Sequence, residues 1–155
     1  MVIHEKILNG IKLTNYTFIE PPVVVGGLAL EYHKVRSTGH DYDYIVSNTD
    51  WQNLKKLHPE KINLFGGKDE KEIDATINLR DVEVDLIKTL YQHNYNDLSK
   101  GSINYKSYKI ISLEQILFLK TLDAVTEKTP KSINDQKLIV DHIVKNKYGK
   151  KEEET

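Results

Sequence analysis

Residues Val23 to Ser47 read VVVGGLALEYHKVRSTGHDYDYIVS and carry the clearest secondary-structure pattern in the chain. Three β-branched residues followed by a glycine pair predict a short buried strand that ends at Gly26-Gly27. Leu28 to Val35 has the apolar spacing of a helix, and Asp41 to Ser47 alternates as a second strand does. The stretch therefore predicts a strand, a helix and a strand, with the glycine pair at the first junction.

Two carboxylates on the second predicted strand indicate a cation site. Asp41 and Asp43 point to one face of that strand, while Tyr42 and Tyr44 point to the other. Like charges this close are costly unless a cation neutralises them. The glycine pair lets backbone amides approach a phosphate, and the start of the helix adds a favourable dipole. Together these features predict a site for a divalent cation and a phosphate group.

The segments around this stretch extend the pattern to a mixed α and β chain. Ile3 to Leu13 has helical spacing, weakened near its end by Gly10, and Thr49-Asp50 can cap a helix that carries Trp51. Further strands are predicted at Asn63–Phe65, Ile73–Ile77, Val82–Leu86 and Lys109–Ile111, with a turn from Asn78 to Asp81. Two helices close the chain, at about Leu113–Val125 and Ser132–Asn146. The first of them is apolar nearly all round, which predicts that it is buried.

A third carboxylate is available on a later strand. Asp85 lies in Val82-Glu83-Val84-Asp85-Leu86-Ile87, where apolar residues alternate with acidic ones. Three clustered carboxylates form a site for a hard cation such as Mg²⁺, which suits in-line phosphoryl or nucleotidyl transfer. Asp74 is the alternative third ligand, and the apolar setting of Asp85 favours Asp85.

Lys120 carries a positive charge on a largely apolar helix face. Ile116, Leu117 and Ala124, which lie three or four residues from it, are apolar. A buried lysine needs either a route to water along its own stem or an anionic partner. The anion could be a carboxylate or a triphosphate.

The composition sets wide limits on function. The 155 residues are 39% hydrophobic and 29% charged, which is typical of one globular domain and excludes wholesale disorder. The formal net charge of -1 neither requires nor forbids a nucleic-acid partner. Without cysteine there is no disulfide, thiolate metal site or cysteine nucleophile, and the six histidines lack metal-ligand spacing. No signal peptide or membrane span is recognisable, so we expect a cytoplasmic protein with no membrane partner.

The order of these motifs resembles that of a known superfamily. Gly26-Gly27, thirteen further residues, Asp41-Tyr42-Asp43 and a later Asp85 resemble the DNA-polymerase-β-like nucleotidyltransferases. More narrowly, Val23 to Val46 and the downstream SLEQILFLKTLDA are similar to bacterial toxin-type and abortive-infection nucleotidyltransferases. The resemblance covers about Val23 to Asp141.

The resemblance implies an α+β fold, a small mixed β-sheet with flanking helices and a short C-terminal helical section. Residues 1–111 would form the nucleotidyltransferase core. Residues 112–146 would be C-terminal helices packed on that core in the same domain, and residues 147–155 a charged, disordered tail.

The resemblance also implies roles for the metal and phosphate ligands. Asp41 and Asp43 would hold two Mg²⁺ ions, and Asp85 would complete the metal site and help to deprotonate the acceptor hydroxyl. Gly26 and Gly27 would contact the phosphates of the nucleoside triphosphate.

Three further residues are implied to bind the nucleotide. Lys120 would steady the triphosphate. Arg36 and Thr38 resemble the Arg-x-Thr/Ser that often precedes the aspartate pair, although Gly39-His40 lengthens the spacing by one residue. Asp135 with Lys137 loosely resembles a pattern of the last helix, and a capping role for Asp135 is the alternative.

The implied function is Mg²⁺-dependent transfer of a nucleoside monophosphate from a nucleoside triphosphate to a hydroxyl acceptor. The acceptor could be a tRNA 3′ end, a protein side chain or a small molecule. Because a chain this short lacks much of the extra helical domain that larger relatives use to hold an acceptor, we expect a homodimer or a partner protein to complete the acceptor site. The alternative function is a catalytically silent nucleotide-binding or antitoxin-like regulatory protein of the same fold.

Overall fold

The computed structural model describes residues 2–65 and 74–153. The helices are α1 (Ile3–Leu13), α2 (Gly26–Tyr32), α3 (Asn48–Leu57), α4 (Tyr95–Leu98), α5 (Leu113–Thr126) and α6 (Pro130–Glu153). The strands are β1 (Val23–Val25), β2 (Tyr42–Ile45), β3 (Ile62–Phe65), β4 (Asp74–Leu79), β5 (Val84–Ile87), β6 (Ile103–Asn104) and β7 (Lys109–Ile110). Short 3₁₀ turns cover Pro59–Lys61 and Arg80–Val82. The chain divides into two compact units, Met1–Ser112 and Leu113–Thr155.

All of the strands belong to one mixed sheet in the first unit. Their order across the sheet is β3-β4-β5-β2-β1-β7-β6. β2 is parallel to β5 and β1 is parallel to β7, whereas the other neighbouring pairs are antiparallel. The sheet and the helices together confirm the predicted α+β class.

The directions of β1, β2 and β5 bring the last residue of β1 and the first residues of β2 and β5 to the same end of the sheet. β1 is antiparallel to β2, so Val25 at its end pairs with Asp43 near the start of β2. β5 is parallel to β2 and begins at the same edge. The three valines of β1 are almost fully buried, as the run of β-branched residues predicts. The glycine pair therefore lies at the same end of the sheet as the first residues of β2 and β5.

Helix α1 packs against the tyrosine face of β2. The hydroxyl of Tyr44 donates to the carbonyl of Ile7 at 2.7 Å. Gly10 is buried beneath Tyr42 and Tyr44, and a Cβ atom there would overlap both side chains. Gly10 thus weakens the helix locally but permits the close approach of helix to sheet. Because side chains alternate along a strand, Asp43 lies on the opposite face.

Helix α3 begins earlier than the sequence predicts. Ser47 is the N-cap, and its hydroxyl accepts a hydrogen bond from the amide of Asp50 at 3.2 Å. The predicted cap at Thr49-Asp50 is therefore wrong. Asp50 is instead a fully buried carboxylate that accepts from the Tyr16 hydroxyl at 2.6 Å and from the amides of Ile19 and Glu20 at 2.9 and 3.0 Å. It ties the segment before β1 to the first turn of α3.

Replacing Asp50 with alanine is expected to destabilise the fold by about 3 kcal/mol or more, because two backbone amides and the Tyr16 hydroxyl lose a fully buried acceptor. Equilibrium unfolding in urea measures this loss. Asp81→Ala is the matched control, since Asp81 is exposed. Equal stability of the Asp50 and Asp81 variants would contradict the structural role of Asp50.

The second unit is a helical hairpin in which α5 packs along α6. Ile116 is buried, but Phe118 and Val125 are 41% and 68% exposed. The prediction that this helix is buried is therefore wrong for these two side chains, because α6 covers one stripe of α5. No helix among residues 2–65 and 74–153 has the length and hydropathy needed to cross a membrane.

Candidate active site

The glycine pair at the start of α2 adjoins two of the predicted site residues. Gly26 has a φ of +64°, a left-handed conformation that other residues rarely adopt. A Cβ atom at Gly26 would overlap the Oδ2 atom of Asp43 and lie 3.3 Å from its Cγ. A Cβ atom at Gly27 would lie 2.5 Å from Oγ1 of Thr38. The absence of side chains at both glycines is what makes room for Asp43 and Thr38.

Strand pairing brings two of the predicted carboxylates together. Asp43 on β2 and Asp85 on β5 are direct partners in the parallel register. Partners in register place their side chains on the same face of a sheet, and both residues are half-buried. Asp41 is exposed and lies just before the first residue of β2. The fold thus builds a pair of carboxylates, with Asp41 at its rim.

A polar network that the sequence did not reveal holds Asp85. The side-chain amide of Asn78 on β4 donates to Oδ1 of Asp85 at 2.6 Å. Oδ1 of Asn78 accepts from the Thr76 hydroxyl at 3.2 Å and from the side-chain amide of Asn63 on β3. The sequence prediction placed Asn78 in a turn, which is wrong because β4 continues to Leu79. The available signal was the alternation of Thr76 and Asn78 with apolar residues.

Glu31 fixes the loop that carries Thr38. The amide of Thr38 donates to Oε1 of Glu31 at 3.0 Å, and Nζ of Lys6 lies 2.9 Å from Oε2. Burial acts to raise the pKa of Glu31, but the hydrogen bonds from Thr38 and Lys6 outweigh it, so the pKa is lowered. The ionised carboxylate therefore holds Thr38 against Gly27. Arg36 in the same loop donates to the carbonyl of Ser37 at 3.1 Å.

Lys120 lies in the second unit and has a carboxylate partner there. Its Nζ atom is 3.1 Å from Oδ2 of Asp135, whose side chain is 2% exposed. Of the two expectations for Lys120, the anionic partner is the one that the structure shows. Asp135 lies inside α6, which begins at Pro130, so the alternative of a helix cap is wrong.

Asp74, the alternative third carboxylate, has a different role. It accepts from the hydroxyl of Thr89 at 3.1 Å and from the amides of Tyr91 and Gln92 at 2.6 and 2.8 Å. It lies at the opposite end of β4 from Asn78. Asp74 therefore holds the turn that follows β5, and Asp85 is the carboxylate that lies beside Asp43.

The carboxylate pair fits a hard cation that is shared with a substrate. In the described part of the chain, no three His, Asp or Glu side chains form a ready-made metal site. Mg²⁺ in nucleotide-dependent enzymes is typically held by one or two carboxylates, with substrate phosphates and waters completing its shell. Asp43 and Asp85 supply such a pair of oxygen donors on one face. Oδ2 of Asp85 accepts no hydrogen bond from any residue that the structure describes.

Comparisons with known proteins leave the function to be inferred from this chain. No protein-family model matches it, and no curated protein matches it. Among solved structures, the chain is similar to ANT(2")-Ia in complex with adenylyl-2"-tobramycin, with 17% sequence identity and a TM-score of 0.46. The alignment covers 91% of this chain and 87% of that chain.

Proposed function

We propose that the protein is a Mg²⁺-dependent nucleotidyltransferase that moves a nucleoside monophosphate from a nucleoside triphosphate to a hydroxyl acceptor. The observation that carries this proposal is the register pairing of Asp43 with Asp85 beside Gly26. It places two oxygen donors next to a stretch of backbone that has no side chain. Carboxylate oxygens beside a bare stretch of backbone are the groups that a metal-bound triphosphate requires.

Each site residue has a defined role in the proposed reaction. Asp41, Asp43 and Asp85 would hold the two Mg²⁺ ions, and the bare backbone at Gly26 and Gly27 would admit the phosphates. Bound Mg²⁺ supplies the positive charge that polarises the acceptor hydroxyl and neutralises the departing pyrophosphate.

The proposed transfer is a single displacement at the α-phosphorus. The acceptor oxygen forms a bond to this phosphorus while the bond to the bridging oxygen of the β-phosphate breaks. Asp85 takes the proton of the acceptor hydroxyl, and pyrophosphate leaves. The free Oδ2 of Asp85 is the atom that would receive this proton.

The contacts of Thr38 support a nucleotide-binding role more directly than those of Arg36 and Lys120 do. Thr38 is held against Gly27 by Glu31, so its hydroxyl adjoins the proposed phosphate position. For Arg36 and Lys120, contact with the triphosphate stays a prediction. Lys120 would have to exchange its Asp135 partner for phosphate, and this exchange would remove a cation that lies 3.1 Å from a buried carboxylate.

Transfer is tested by incubating the protein with each α-labelled nucleoside triphosphate, Mg²⁺ and total lysate, and then separating RNA, protein and small molecules. We expect label in one fraction, dependent on Mg²⁺ and lost with EDTA. A labelled RNA, protein or small molecule identifies which of the three acceptor classes is used. Absence of label with every nucleotide, together with Mg²⁺-dependent ATP binding, would contradict the enzyme and favour the binding-only regulatory protein.

A further inference from the structure

We infer that Asn78 is a positioning residue for Asp85, holding one carboxylate oxygen so that the other stays available to the metal and the acceptor. This inference rests on the proposed function. Asn78 and Asp85 are direct partners in the antiparallel pairing of β4 with β5. The 2.6 Å hydrogen bond from Asn78 is the one that the Asp85 side chain accepts from the described residues.

The Asp85 carboxylate determines the orientation of the Asn78 amide. An asparagine side chain can present either its NH₂ group or its oxygen to a neighbour. Here the oxygen accepts from the Thr76 hydroxyl and from the Asn63 amide, which leaves the NH₂ group for Asp85. The reversed amide would place its oxygen against a carboxylate oxygen, and the two acceptors would repel each other. The side chain of Asn78 therefore presents its NH₂ group, and not its oxygen, to Asp85.

The hydrogen bond from Asn78 to one oxygen restricts rotation of the Asp85 carboxylate. A side chain that binds a divalent ion must present its oxygen in a narrow range of directions, and partners of the ligand set that direction. The hydrogen bond to Oδ1 fixes the plane of the Asp85 carboxylate while Oδ2 remains free. Asn78 would thus act on the metal and the acceptor through Asp85, without touching either.

Asn78 lies beside an open cavity at the surface, so replacing its side chain would not leave a void in the hydrophobic core. Asn63 and Asn78 line an open cavity of about 270 Å³, together with charged residues that include Lys61 and Arg80. Asn63 itself is exposed on the edge strand β3. Substitutions in this network therefore remove hydrogen bonds at the surface of the sheet.

The test replaces Asn78 with leucine, which keeps the approximate volume and removes the donor. Binding of Mn²⁺, used as a probe for Mg²⁺, is measured by electron paramagnetic resonance in the presence of a non-hydrolysable ATP analogue. We expect Asn78→Leu to weaken Mn²⁺ binding by about 10-fold to 100-fold and to lower kcat by a similar factor. At saturating Mg²⁺, KM for the nucleoside triphosphate should change by less than about threefold, because Asn78 does not contact the nucleotide.

Companion variants separate positioning from folding. Asn78→Ser restores a hydroxyl donor and should recover part of the Mn²⁺ affinity. Asn63→Ala removes one donor to the Asn78 oxygen from an exposed position, and we expect a smaller loss of Mn²⁺ affinity with no loss of stability. Asn104→Leu, on exposed strand β6, is the matched control and should bind Mn²⁺ as the wild type does.

The outcomes distinguish this inference from the proposed function. If Asp85→Asn loses Mn²⁺ binding while Asn78→Leu and Asn63→Ala retain it fully, the positioning role of Asn78 is overturned and the nucleotidyltransferase proposal stands. If Asp85→Asn binds Mn²⁺ as the wild type does, the metal role of Asp85 fails first. If Asn78→Leu does not fold, Asn78→Ala decides the question, because it also removes the donor, and full Mn²⁺ affinity and kcat in that variant would overturn the positioning role.

Discussion

Replacing Asp43 with asparagine is expected to reduce nucleotide transfer by at least about 1,000-fold, equivalent to about 4 kcal/mol of transition-state stabilisation. The amide keeps the shape of the carboxylate but removes the negative charge that would hold Mg²⁺. The fold should persist, because the variant keeps the backbone pairing of β2 and relieves repulsion with Asp85. Asp41→Asn is expected to abolish transfer in the same way.

The labelled-nucleotide assay measures this loss, and circular dichroism with urea unfolding shows that the variant is folded. Asp81→Asn is the matched control, since it removes one exposed carboxylate from the same unit. It should transfer label at the wild-type rate. Full activity in Asp43→Asn or Asp41→Asn would refute the proposed mechanism.

Replacing Gly26 with alanine is expected to damage both stability and activity. A φ of +64° costs an alanine about 1 kcal/mol or more relative to glycine. The added methyl group would also overlap the carboxylate of Asp43, so that either the strand end or the side chain must move. We expect a loss of about 2 to 4 kcal/mol in unfolding free energy. We also expect at least a 100-fold loss of transfer, because misplacing a catalytic group by about 1 Å has this effect.

Gly39→Ala provides the control for this substitution. A Cβ atom at Gly39 would meet no atom within 4 Å, and Gly39 lies in the same part of the chain, between Thr38 and Asp41. Thermal unfolding and label transfer should both match the wild type in this variant. Wild-type stability and activity in Gly26→Ala would show that the glycine does not shape the site.

Local sequence patterns predict much of the fold around the site. The valine run predicts β1, the alternation from Asp41 predicts β2, and the spacing of apolar residues predicts α1 at its observed bounds. These elements follow because each is decided by residues close together in the chain. Boundaries are less well predicted, since Ser47 and Thr49-Asp50 are equally good caps by composition. The choice of Ser47 depends on the burial of Asp50 by the distant segment around Tyr16.

The candidate site is only partly predictable for a related reason. Periodicity assigns Asp43 and Asp85 to strand faces, but it does not say that β2 and β5 are neighbours or in which register they pair. The resemblance to nucleotidyltransferases implies only that Asp85 completes the metal site of Asp41 and Asp43. The partners of these side chains, such as Asn78 for Asp85, depend on tertiary pairing that no local pattern encodes.

The single tryptophan gives the molecule a built-in optical reporter. Trp51 is completely buried in the first unit, and among the described residues its indole Nε1 has no hydrogen-bond partner. Its fluorescence should therefore be shifted to short wavelength in the native state and move to long wavelength when that unit unfolds. Helices α5 and α6, with 14 and 24 residues, contribute strongly to far-ultraviolet ellipticity but contain no indole. Comparing the two signals during denaturation would assign each transition to one unit without any added label.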